Sequence, residues 1–91
     1  MFTRSFFGSV KSDDGFVVKG NGKNALLLKH GSVKYYVFIE YLNADPLSVQ
    51  MDRSDVWLDE EFKTRLLDED INALVLRRAE EYLIFVGIGV K

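Results

Sequence analysis

In 91 residues the chain has no cysteine, one proline, one histidine and one tryptophan. Without thiols it forms neither disulfides nor thiolate metal sites, a usage that suits a reducing compartment. No apolar run reaches the roughly 20 residues of a membrane-spanning helix. The opening Met1-Phe2-Thr3-Arg4-Ser5-Phe6-Phe7 lacks the apolar core and small-residue cleavage site of a signal peptide. A cytosolic protein with no membrane contact is the expectation.

The scarcity of catalytic residue types is equally informative. The single histidine, His30, lies between Lys29 and Gly31 in turn chemistry, and no Gly-x-Ser-x-Gly elbow surrounds a serine. A two-carboxylate hydrolase needs one defined pair, and nothing singles out a pair among fourteen acids. Asp68-x-Asp70-x-Asn72 opens like a calcium loop. Ala73 and Ala79 then occupy the positions of the required glycine and bidentate glutamate. Gly20-Asn21-Gly22-Lys23-Asn24 lacks phosphate-loop spacing and leads into a strand, so it reads as a hairpin turn. The reading is a protein without catalysis, cofactor or metal.

What is present is ample core material: 47% hydrophobic and 13% aromatic residues, enough for one modest core in one small domain, residues 1–91. Strand patterning recurs at 2–7, 16–18 and 25–29. It is clearest at 33–42, where Val33, Tyr35, Val37, Ile39 and Tyr41 alternate with Lys34, Tyr36, Phe38, Glu40 and Leu42. Residues 47–52 fit either a short strand or irregular chain. From Ser54 or Asp55 the spacing turns helical, with Phe62 and Leu66 on one stripe and Ile71, Leu74, Val75, Arg78 and Tyr82 on another. The offset between the stripes predicts two helices, or one kinked near 68–70 with Asp68 or Asp70 as a second N-cap. A competing reading makes 71–76 a strand. Residues 82–90, uncharged and rich in β-branched and aromatic side chains, read as a central strand, with Gly87 and Gly89 marking close approach of another backbone or a packed helix. The predicted fold is α+β: an antiparallel-rich sheet of about five strands, with one long or kinked helix (or two helices) packed on one face before the last strand.

Charge is unevenly spread. Residues 1–45 carry six Lys/Arg against four Asp/Glu, and residues 46–91 carry six against ten. Residues 52–70 hold eight acids and three bases around Trp57. Asp52, Asp55, Trp57, Asp59, Glu60, Glu61 and Asp68 are therefore the candidate contacts for a basic protein partner, since Trp anchors interfaces and complementary charge speeds encounter. The alternative is a small nucleic-acid-binding domain. Residues 34–41 partly match the aromatic strand of the RNA-recognition motif, with Lys34, Tyr36, Phe38 and Tyr41 in place. Both glycines of that motif are replaced and residues 1–33 offer no helix, so a nucleic-acid partner ranks second.

Thr3-Arg4, Gly15-Phe16-Val17-Val18, Lys19-Gly20, the segment 58–67, and Arg77-Arg78 ahead of residues 82–90 form a layout. It resembles one group of small bacterial immunity proteins from polymorphic toxin systems. The resemblance implies a cytosolic protein that binds and blocks a cognate toxin and has no catalytic residues of its own.

Overall fold

The computed structural model describes residues 2–4, 9–22, 24–44 and 47–90. It is a mixed α/β fold. Six strands follow one another as an antiparallel meander: β1 (Phe2–Arg4), β2 (Val10–Ser12), β3 (Phe16–Gly20), β4 (Ala25–His30), β5 (Val33–Ala44) and β6 (Leu47–Met51). An irregular arm covers residues 52–68. The helix α1 (Glu69–Phe85) follows, and the two-residue β7 (Gly89–Val90) returns parallel to β6.

The strand β5 is the hinge of the sheet. Its first half, Val33 to Phe38, pairs with β4, and its second half, Ile39 to Ala44, pairs with β6. The β4–β5 hairpin closes through Gly31 at φ +64°, a left-handed conformation that costs glycine least. Alternation then sorts the side chains. Phe16, Val18, Leu26, Leu28, Tyr35, Val37, Ile39, Val49 and Met51 share one core with Val75, Leu76, Ala79, Tyr82 and Leu83 of α1. Leu28, Val18, Val37, Val49, Val75 and Leu83 are fully buried, each contributing about 1.5–3 kcal/mol of apolar burial.

Three expectations are corrected. Residues 82–90 are no central strand: Tyr82 to Phe85 form the last turn of α1, and only Gly89 and Val90 pair with a neighbour. An apolar run of this length reads equally as buried helix or strand, and Gly87 decides between them. It sits at φ +84°, donates to the Ile84 carbonyl (3.1 Å), and Ile88 N–H donates to the Leu83 carbonyl (2.8 Å). That paired bonding around a left-handed residue is a Schellman stop. Close approach holds at Gly89, where an added Cβ would lie 3.4 Å from Ser48 Cβ, and not at Gly87, which faces open space.

Second, residues 54–67 are not helical, because Asp side chains take up their backbone amides in turns. Asp68 is the N-cap of α1, the one α-helix among the described residues, accepting from Asp70 N–H (3.0 Å) and Ile71 N–H (3.1 Å). Residues 71–76 lie inside that helix. Third, among the described residues the sheet has seven strands rather than about five, since β2 and β6 join it as well. The expected extension of the first strand through 5–7 lies outside the described residues.

Candidate functional site

The arm between β6 and α1 carries most of the candidate contacts. Beyond β6 the arm returns to β5 at Trp57: Tyr36 N–H donates to Trp57 O (2.7 Å) and Trp57 N–H to Tyr36 O (2.9 Å). The arm then doubles back on itself, with Leu58 N–H donating to Thr64 O and Leu66 N–H to Val56 O, both 2.8 Å. Asp59 closes the turn, its Oδ1 accepting from Lys63 N–H (2.9 Å) and Thr64 N–H (2.8 Å). Phe62 stands inside that turn at φ +59°, a strained conformation for a bulky residue. Its ring compensates by packing edge-on against Trp57 (6.1 Å) and Phe38 (5.6 Å).

The predicted acids therefore divide by role. Asp52 accepts from Ser54 N–H (2.8 Å) and Asp55 N–H (3.4 Å), Asp59 closes its turn, and Asp68 caps α1. These three hold the backbone, which accounts for part of the acidity without any partner. Asp55 pairs with Arg65 at 3.4 Å and Glu61 with Lys63 at 3.1 Å. Glu60 is exposed and forms no ion pair among the described residues. Trp57 is half-buried, part of the arm's own packing and part of its surface. Asp55, Trp57, Asp59, Glu60 and Glu61 are brought onto one folded-back loop, while Asp52 and Asp68 sit at its two ends.

The alternative set does not make one platform. Tyr36 is buried and Phe38 is half-buried beside Phe62, both on the sheet face away from α1. Tyr41 is half exposed but falls on the opposite alternation, next to the bulge at Tyr41 and Asn43. Lys34 is exposed on the same face as Tyr36.

One junction had no signal in the sequence. Arg78 on α1 reaches the turn after β2, where Nε and NH2 each lie 2.9 Å from Asp14 Oδ2, and NH1 lies 2.7 Å from Glu81 Oε1. Ser12 Oγ also donates to Asp14 Oδ1. The hydrogen bond from Arg78 holds the Asp14 carboxyl below its ordinary value, and the same bond raises Arg78. The pair walls a cleft of about 580 Å³ with Phe2, Ile84 and Phe85. Sixty-four residues separate the two partners, so no local spacing could reveal them.

Among the described residues no three His, Cys, Asp or Glu side chains gather to hold a metal ion, and no helix is long and apolar enough to cross a membrane. No protein-family model, curated protein or solved structure matches this chain.

Proposed function

We propose that this chain is a non-enzymatic protein-binding module that neutralises a basic toxin or effector by binding it, as an immunity protein does. The observation that carries the reading is the folded-back loop. It presents Asp55, Glu60 and Glu61 beside the half-buried Trp57, on an arm fixed to β5 by two backbone hydrogen bonds. A rigid, preformed, acidic loop with an aromatic anchor loses little entropy when it docks. Its carboxylates raise the encounter rate with a basic surface at low salt.

The test begins with affinity capture from the source cell, guided by a neighbouring gene for a secreted toxin. Stopped-flow association and calorimetry with the captured partner then compare the parent with Asp55→Lys, Glu60→Lys and Glu61→Lys. Asp59 is left intact because it holds the turn. The reading expects association at least tenfold slower for the triple variant. An unchanged rate and affinity would remove the loop from the interface.

A further inference from the structure

The face of the sheet away from α1 carries a charge pattern that the fold does not use. Register places Lys11 opposite Val17, Val17 opposite Lys29, and Lys29 opposite Lys34, so three lysines lie in one row across β2 to β5. At ~4.8 Å per strand the row spans about 15 Å. The next row holds Lys19, Leu27, Tyr36 and Trp57 in register. All four lysines are exposed, and none of their ammonium groups forms an ion pair or hydrogen bond among the described residues. No carboxylate stands in either row. Lys29 and Lys34 face each other directly across a ladder, an arrangement that destabilises a sheet. These four are also four of the six bases of residues 1–45 in a chain of net charge −2.

The stems of these lysines lie beside Leu27 and Tyr36, which are buried although α1 packs on the other face. Covering apolar surface requires long stems but not four unpaired charges of one sign. From this charge complementarity we infer that the lysine rows form a docking surface for the phosphate backbone of single-stranded nucleic acid. Lysine ammonium groups bind phosphates as point charges, a contact that needs no fixed fork geometry. Arg65, beside Trp57 in register, is occupied by Asp55. Four contacts and an acidic remainder suit a short single strand rather than a duplex. Trp57 at the end of the second row and Phe62 packed against it, both half-buried, supply ring surface on which a base can stack. The surface shares the rings of Trp57 and Phe62 with the acidic loop, but its four lysines lie outside that loop and Asp55, Glu60 and Glu61 take no part in it.

The experiment titrates the full chain with a fluorescently labelled 20-nucleotide oligouridine, following its anisotropy and the emission of Trp57, the only tryptophan. For four phosphate contacts the slope of log K against log salt is about −2.8, so affinity falls roughly 50-fold between 50 and 200 mM salt. Lys29→Gln with Lys34→Gln reduces the slope by about 1.4. Adding Lys11→Gln and Lys19→Gln abolishes binding, while circular dichroism of the variants stays that of the parent. Three outcomes overturn the inference: no binding at 50 mM salt, binding insensitive to salt, or full affinity in the quadruple variant. Polyglutamate binding more tightly than oligouridine would assign the face to an acidic protein and equally overturn it. Charge reversal at Glu60 and Glu61 does not weaken the titration, whereas it slows toxin association, so failure here is distinguishable from failure of the toxin-binding reading.

Discussion

Arg78 grips Asp14 through two nitrogens, each 2.9 Å from the same carboxylate oxygen, and so ties the middle of α1 to the turn between β2 and β3. The contact depresses the carboxyl, and its stabilisation has a definite pH window. It is complete above the ordinary aspartate value, about 4, and is lost as pH falls through the lower value of the folded state. Urea denaturation at pH 7 and pH 3 should show a smaller acid loss in Asp14→Asn than in the parent. Equal losses would place the acid sensitivity elsewhere. Arg78→Met at pH 7 should cost on the order of 1 kcal/mol, because the pair is only partly shielded from water.

Asn72 joins α1 to the arm. Its Oδ1 accepts from Val56 N–H (3.0 Å) and its Nδ2 donates to Ser54 O (3.2 Å), so one side chain imitates a strand partner. Val56 is fully buried. Asn72→Ala leaves its N–H without an acceptor and should cost about 1–3 kcal/mol in chemical denaturation. Asn72→Asp retains the acceptor and should lose less. Equal losses for the two variants would mean that the Val56 bond contributes nothing.

Phe62 and Asp59 should uncouple by substitution. Phe62→Gly removes the strain at φ +59° but also both ring contacts. The expected outcome is a red-shifted Trp57 emission with little change in the secondary structure of the sheet. Asp59→Ala frees two amides and should shift the emission the same way at a cost of about 1 kcal/mol. Unaltered emission in both would show that Trp57 is held by β5 alone.

Gly87→Ala tests the helix stop. An added Cβ meets nothing within 4 Å, so any cost comes from the left-handed backbone alone. About 1 kcal/mol is expected, read as a lower thermal midpoint. A neutral result would show that the last turn frays without penalty.

Much of the sheet was legible because its signals are local. Alternation at 33–42, the Gly20-Asn21-Gly22 turn and the Asp68 cap each show in a few neighbouring residues. The helix stripe was visible but misplaced: it runs through Val75, Leu76, Ala79, Tyr82 and Leu83, one step round from the predicted face. The arm failed for a different reason. Asp55 and Asp59 look like residues near a helix start, yet in space Asp52 and Asp59 bind amides that a helix would have used. Competition between side-chain and backbone acceptors leaves no periodic trace. The lysine rows were hidden too, because Lys11, Lys19, Lys29 and Lys34 align only once the strand register is known.

The return of β7 to β6 has a kinetic consequence. Every pairing from β1 to β6 joins consecutive strands, whereas Ser48 meets Gly89 only after about forty residues of intervening chain. Loop-closure entropy must be met before that contact forms. The meander therefore assembles first and the parallel strand docks last, held by two residues at the rim. Native-state hydrogen exchange should show the amides of Gly89 and Val90 opening well below the global unfolding free energy, with the β4–β5 amides opening only with the whole molecule.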